Sequence, residues 1–252
     1  EKLMNLHEFY IVCRLLLLEG FVDAIAGGGG LISLPAYMFA GVPVHNAIAT
    51  NKLSSATGTA VSTWHLVKSR CVDLFLVPGT VCAFVGSIAG ANLTLIISDK
   101  VLKTVLVFVL PVVAFCVLRD KNLKPVIPEG FTRKKQYLIM AACSFVIGIY
   151  DGFYGPGTGT FLLLAFTKLG KLDIEKATGN VKVVNLTSNI SALITFVLAG
   201  KILWVLGLSA SIFSIAGHYL GAHMVVKNGV KVIKPIILLV LVLLMIKIIL
   251  GI

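Results

Sequence analysis

The chain has 252 residues, 58% of them hydrophobic and 13% charged, with a mean hydropathy of +0.98. A water-soluble protein of this size needs far more polar surface to cover its core. That excludes a soluble enzyme and a nucleic-acid binder and makes lipid the solvent for most of the chain. The formal net charge of +11 reads mainly as cationic loops that hold a cytoplasmic face in place, with a share left to attract an anionic substrate.

At roughly 20 apolar residues per spanning helix, the length allows about eight to ten transmembrane segments in an all-α membrane protein. The first runs over about 5–26 and ends in Gly27-Gly28-Gly29-Gly30. It is interrupted by Arg14, Glu19 and Asp23, which makes it a poor signal-peptide core. The chain starts at Glu1 without a Met, so a short N-terminal piece is expected to precede it. A short segment, Leu31 to Ala40, stops at Gly41-Val42-Pro43, and longer ones follow over about 46–68, 74–97 and 101–118. The most polar stretch, Arg119 to Lys135, carries six basic residues with Pro125 and Pro128 and reads as a central cytoplasmic loop. Beyond it lie a segment at about 136–154 ending in Gly155-Pro156-Gly157, a second short one from Thr158 to Lys168, and long ones at about 176–199, 202–226 and 231–250.

Ten or eleven helical residues rise only about 15–17 Å, half of a hydrocarbon core about 30 Å thick. The two short segments are therefore halves of broken or re-entrant elements. Such backbone is tolerated at depth only where it is buried in protein or lines a cavity.

The second half of the sequence repeats the first. Gly20, Asp23, Gly27 and Gly29 fall on Gly148, Asp151, Gly155 and Gly157 at an offset of 128. With two extra residues in the second copy, Lys52 falls on Lys182, Ser55 on Asn185 and Gly58-Thr59 on Ser188-Asn189. The expected organisation is a first transmembrane repeat over 1–118, the loop over 119–135, and a second repeat over 136–252. If segments alternate between the two sides, one side collects 14 basic residues in its loops and the other four, namely Lys2, Lys100, Lys103 and Lys201. The richer side is expected in the cytoplasm, with both termini outside. Five segments per copy is odd, so the repeats are inverted, the pattern of secondary transporters.

Several sets of residues stand out as candidates for binding or coupling. Gly27, Gly28, Gly29 and Gly30, with Gly155, Pro156, Gly157, Thr158 and Gly159, free backbone groups inside the membrane, and the helix after each break directs its N-terminal donors inward, a site for an anion. The competing use of such glycines is close helix approach. Lys52 and Lys182 are costly in a membrane unless they face a cavity or partner. One from each copy can grip an anion from two sides, or each can snorkel to a nearby interface. Asn51, Asn180, Asn185 and Asn189 can donate to the same anion. A polar stripe of Ser54, Ser55, Thr57, Thr59 and Ser62, matched by Thr187, Ser188 and Ser191, suits a cavity wall or helix–helix adhesion. Asp23 and Asp151 can pair with a lysine, carry a coupling proton, or orient the breaks. His65 reads as an interfacial histidine with a proton role as the alternative, and His45 and His218 as weaker candidates still.

No catalytic or metal constellation is visible. Neither HExxH nor GxSxG occurs, no GKS/T follows the glycines, and the five cysteines (Cys13, Cys71, Cys82, Cys116, Cys143) form no CxxC pair. No enzyme activity, metal or cofactor is expected.

The run Gly20-Phe21-Val22-Asp23-Ala24-Ile25-Ala26-Gly27-Gly28-Gly29-Gly30-Leu31, then Pro35, then Ala49-Thr50-Asn51-Lys52-Leu53, resembles the TauE/SafE family of sulfite and organosulfur anion exporters, within it the membrane transporter subgroup. Tyr150-Asp151-Gly152-Phe153-Tyr154-Gly155-Pro156-Gly157-Thr158-Gly159, Asn185-Leu186-Thr187-Ser188-Asn189 and Gly200-Lys201-Ile202 match as well, so the resemblance covers essentially the whole chain. It implies a multi-pass plasma-membrane carrier of small anions such as sulfite or organosulfonates, in the bacterial inner membrane, working by alternating access. An anion channel, a carrier of a non-sulfur carboxylate and a scaffold without transport are the alternatives.

Overall fold

A computed structural model describes residues 6–98, 101, 127–229, 231–232 and 235–236. The expected segments at 101–118 and 231–250, and the central loop before residue 127, lie almost wholly outside the described residues, as do Lys2, Lys100, Lys103 and Cys116.

Within them the chain is helical, and the elements fall close to the expected boundaries. α1 runs over Leu6–Ala26, α2 over Gly30–Phe39 and α3 over Val44–Lys68. A single 3₁₀ stretch, Leu74–Gly79, leads into α4, Thr80–Ile96. After the central loop come α5 (Arg133–Phe153), α6 (Thr158–Lys168), α7 (Ile174–Leu198) and α8 (Trp204–Asn228). Four spans are both long and apolar enough to cross a bilayer: Leu74–Ile96, Arg133–Phe153, Ile174–Leu198 and Trp204–Asn228. α1 and α3 are just as long, 21 and 25 residues. They fall short on polarity because they carry the charged and hydroxyl side chains that the fold buries.

The polarity of the molecule is reversed relative to a soluble protein. Phe39, Ile96, Leu198 and Val205 are each at least 80% exposed. Inside are Thr50, Asn51, Lys52, Ser54, Thr59 and Ser62 of α3 and Asn180, Lys182, Ser188, Asn189 and Ser191 of α7. Lipid accepts the apolar exterior at no cost, whereas polar groups in hydrocarbon must find partners within the protein. Trp64 and Trp204 sit exposed near Lys68 and Lys201, the usual station of aromatic anchors at the membrane interface.

Packing follows the glycines. A methyl on Gly217 would run into the Leu17 carbonyl, and one on Gly221 would lie 2.6 Å from the Phe21 carbonyl. α1 and α8 are therefore parallel and in backbone contact. Gly86 and Gly90 meet the Phe145 and Ile149 carbonyls in the same way, which makes α4 and α5 parallel. Without a hydrophobic drive between helices in lipid, such close approach supplies the packing energy. α3 and α7 cross between these two pairs.

The loops sort to two ends. Arg133 pairs with Asp73 at 2.7 Å, and the Lys176 ammonium donates to the Arg70 carbonyl, gathering the loops around 68–73, 127–136 and 168–176 at one end. The Asn46 amide donates to the Lys201 carbonyl at 2.8 Å, and His45 reaches the Thr94 and Ile97 carbonyls at the other. Lys68, Arg70, Arg133, Lys168, Lys171 and Lys176 thus share one end, and Lys201 stands at the opposite one.

Helix starts differ with their surroundings. α5 and α7 begin in the basic-end loops, where Thr132 accepts from the Lys135 amide and Asp173 from the Lys176 amide. α2 and α6 begin in the interior on Gly29 and Gly157, which have no side chain to cap with.

Candidate functional site

The two helix breaks meet. α1 ends at Gly27, in a left-handed conformation (φ +72°) that glycine alone adopts cheaply. The Gly159 amide donates to the Gly27 carbonyl at 3.1 Å, and the Thr160 hydroxyl donates to the Ala26 carbonyl at 2.7 Å. A methyl on Gly27 would lie 2.5 Å from the Gly159 carbonyl carbon, and one on Gly30 would lie 3.0 Å from the Pro156 Cα. The glycines thus serve close approach, and what approaches is the other break.

Each break carries an ion pair whose partners come from opposite halves. Lys52 of α3 meets Asp151 of α5 at 2.9 Å and donates to Asn189 Oδ1 of α7 at 3.0 Å. Asp151 also accepts from the Ser188 hydroxyl. Gly155, at φ +100°, leaves room here, since a methyl on it would lie 3.1 Å from Asp151 Oδ1 and 3.2 Å from Lys52 Nζ. On the other side Lys182 of α7 meets Asp23 of α1 at 2.9 Å and also donates to the Asp23 carbonyl. Asp23 Oδ1 accepts from the Gly29 amide at 3.2 Å, so it caps α2 from one turn upstream. Lys52 and Lys182 are 2% and 1% exposed, which excludes snorkelling for both.

Burial of these charges is tolerable only because each is paired and further hydrogen-bonded. In this arrangement the ammonium groups are held by carboxylates. Donors at the helix starts are likewise engaged, Gly29 N by Asp23 and Gly159 N by Gly27. An anion must compete with a carboxylate to reach either lysine.

Of the other expected residues, Asn51, Ser55, Asn185 and Asn189 are all buried on α3 and α7, and Asn189 meets Lys52. Among the described residues, the Asn51 side-chain oxygen has no hydrogen-bond partner. Ser54 bonds to the hydroxyl of the fully buried Tyr37 at 3.3 Å. Asn180 turns back to its own helix, donating to the Lys176 carbonyl at 2.9 Å, away from the pairs. His65 packs at the edge of Tyr219 and beside His223, consistent with an interfacial place.

His218, among the weakest candidates in the sequence, is fully buried and its Nε2 lies 3.1 Å from Asp23 Oδ2. Glu19 and Ser214 are not among the expected site residues. Ser214 donates to Glu19 Oε2 at 3.1 Å, and Glu19 is completely buried. One signal was available. Glu19 and Asp23 are four apart, on one face of a helix. Nothing comparable marked His218, which lies in an apolar helix far along the chain. Among the described residues no cluster of His, Cys, Asp or Glu is arranged to hold a metal ion, and Cys13, Cys71, Cys82 and Cys143 are free thiols.

Apolar faces outward, polar faces inward and charge pairs at interrupted helices define a multi-pass membrane protein with a functional interior. The family model for the sulfite exporter TauE/SafE matches residues 13–248. The probable membrane transporter protein YfcA of Escherichia coli is 36% identical over 230 residues, covering 89% of this chain and 83% of the relative. A probable membrane transporter protein of Haemophilus influenzae is 35% identical over 224 residues, 87% of this chain and 86% of the relative. The probable membrane transporter protein ORF9 of a Sinorhizobium species is 34% identical over 224 residues, covering 88% of this chain and 85% of the relative. No solved structure matches. The chain belongs to the TauE/SafE family and is a membrane transporter.

Proposed function

We propose that the protein is a secondary transporter that exports small anions, of the sulfite or organosulfonate kind, by alternating access between two inverted repeats. The observation that carries this reading is the meeting of the two breaks, each with a lysine held by the aspartate of the other half. Because both lysines are paired across the halves, releasing either one loosens the contact between the halves. An anion that takes a lysine from its aspartate is therefore bound and unlocks the interface in one event. Lys52, Lys182, Asn51, Ser55, Asn185 and Asn189 bind the anion, with the backbone at Gly27–Gly30, Gly155, Gly157 and Thr158. Asp23 and Asp151 hold the lysines in the unloaded state.

The inverted-repeat organisation, with units at 1–118 and 136–252 joined by a loop at 119–135, is supported by the reciprocal packing of α1 on α8 and α4 on α5. The basic end is cytoplasmic and both termini are outside, in the inner membrane of a bacterium. Flux of sulfite and sulfoacetate into liposomes containing the purified chain tests the site. Losing a charged hydrogen bond worth about 1.5–3 kcal/mol weakens anion binding roughly 10- to 150-fold, so Lys52→Ala and Lys182→Ala each lose saturable uptake. Unchanged uptake in both overturns the lysine site, and flux that never saturates favours a channel.

A further inference from the structure

The two ion pairs are alike, but their surroundings are not. Around Asp23 and Lys182 lies a chain of carboxyl, hydroxyl and imidazole groups that, among the described residues, has no counterpart around Asp151 and Lys52. Glu19 Oε2 accepts from the Ser214 hydroxyl at 3.1 Å. That hydroxyl lies 3.3 Å from His218 Nδ1, and His218 Nε2 lies 3.1 Å from Asp23 Oδ2. In the other half Ile147 stands at the position matching Glu19, by the same offset that relates Asp151 to Asp23. Gly20 packs on the Ser214 carbonyl as Gly148 packs on the Ala83 carbonyl, and Gly217 packs on Leu17 as Gly86 packs on Phe145. This correspondence sets Ala83 against Ser214 and Ser87 against His218. A carboxyl, a hydroxyl and an imidazole are thus replaced by an isoleucine, an alanine and a serine.

We propose that Glu19, Ser214 and His218 form a proton-binding relay, confined to one half, that takes up and releases the coupling proton of transport through Asp23. This rests on the transport reading above. The local geometry supports both ends of a proton transfer. Glu19 is 0% exposed, and among the described residues its Oε1 has no hydrogen-bond partner. An ionised carboxylate so placed lacks the donors that would offset its burial, whereas a protonated carboxyl is accommodated. His218 Nδ1 lies within reach of both the Ser214 hydroxyl and the Ser214 carbonyl, the latter at 2.9 Å. With Glu19 protonated, its carboxyl donates to the Ser214 oxygen and the Ser214 hydroxyl donates to Nδ1 of the neutral ring; once protonated, Nδ1 donates to the Ser214 carbonyl. In the transfer the Glu19 proton passes to the Ser214 oxygen, the proton that oxygen already carries passes to Nδ1, and the Nε2 proton passes to Asp23 Oδ2. Glu19 is left as the carboxylate, His218 as the neutral ring with its proton on Nδ1 and Asp23 as the acid, so the net charge of the cluster is unchanged.

The charged groups facing Glu19 are Asp23 of its own helix and Lys182 of α7, with Tyr37 of α2 as a titratable neighbour. α8 contributes His218, and α3 packs Gly58 against it, where a methyl would lie 2.6 Å from Ser214 Oγ.

The test uses the full chain in proteoliposomes with sulfoacetate, which carries no group titrating near neutral pH. At one proton per anion, a gradient of one pH unit drives about tenfold accumulation in the wild type. Glu19→Gln preserves the shape of the side chain and cannot deliver a proton. In it the ratio of gradient-driven uptake to counterflow falls to near unity. An unaltered ratio in Glu19→Gln overturns the relay, and if that variant does not fold, Ser214→Ala, which cuts the bridge, must show the same loss. Infrared titration of the purified protein without substrate separates this claim from the transport reading. A buried protonated carboxyl band that disappears in Glu19→Gln and persists in Asp151→Asn is expected. Its absence in the wild type overturns the relay whether or not sulfoacetate is carried, and its presence without sulfoacetate flux overturns the substrate while the relay stands.

Discussion

Replacing Gly159 by alanine tests whether the two helix breaks need to touch. A methyl built on Gly159 overlaps the Gly27 Cα and lies 3.1 and 3.2 Å from the Gly27 oxygen and carbonyl carbon. Carbon atoms settle at about 3.5–4.0 Å, so the Gly27 backbone must retreat by roughly 1 Å. The obstacle is backbone on both sides, so no rotamer change relieves it. Overpacking of this kind costs about 1–3 kcal/mol. The retreat also breaks the bond from the Gly159 amide to the Gly27 carbonyl, a further ~0.5–1.5 kcal/mol. Together these lower the melting temperature by roughly 3–18 °C for a chain of this size. Gly79→Ala is the control. A methyl there meets nothing closer than 3.5 Å, which is ordinary contact. Melting of the purified variants is compared with anion uptake in liposomes. Gly159→Ala is expected to lose both stability and uptake, and Gly79→Ala to keep both. A Gly159→Ala protein that melts and transports like the wild type would show that the contact between the breaks is incidental.

Two further outcomes follow from the same geometry. Lys52→Met leaves Asp151 buried without its counter-charge and is expected to destabilise the fold by about 3–5 kcal/mol, while adding Asp151→Asn recovers a large part of that loss. Additive single and double effects in thermal or denaturant unfolding would mean the pair is not coupled. The two-ended charge distribution predicts sidedness. Single cysteines at Lys171 and Lys201, in a chain otherwise free of cysteine, are expected to react with an impermeant maleimide from opposite faces of the membrane, and labelling of both from outside whole cells would refute the assigned orientation.

Much of this architecture is legible in the one-dimensional pattern, and for a specific reason. In lipid a helix needs a minimum apolar length, so the short segments that became α2 and α6 stood out by arithmetic alone. Glycine and proline breaks interrupt otherwise continuous runs, so the ends of α1 and α5 were visible as well. α3 was visible too: the segment expected over about 46–68 is the 25-residue helix Val44–Lys68, despite the polar side chains it carries. The 3₁₀ start of α4 at Leu74–Gly79 was merged into one segment because hydropathy does not distinguish the two kinds of helix.

The amino-acid sequence by itself determined the solvent, the described helices and the two breaks, because these depend on composition and on local chain chemistry. Tertiary structure alone decided which charge meets which. Lys52 is 99 residues from Asp151, and Lys182 is 159 from Asp23. Contacts at such separations depend on how α1, α3, α5 and α7 cross, which no local pattern encodes. It also decided that His218, one unremarkable residue in an apolar helix, belongs beside Asp23. Lys68, Arg70, Arg133, Lys168, Lys171 and Lys176 mark one end of the molecule, while the two lysines at its centre are each balanced by an aspartate from the other half of the chain.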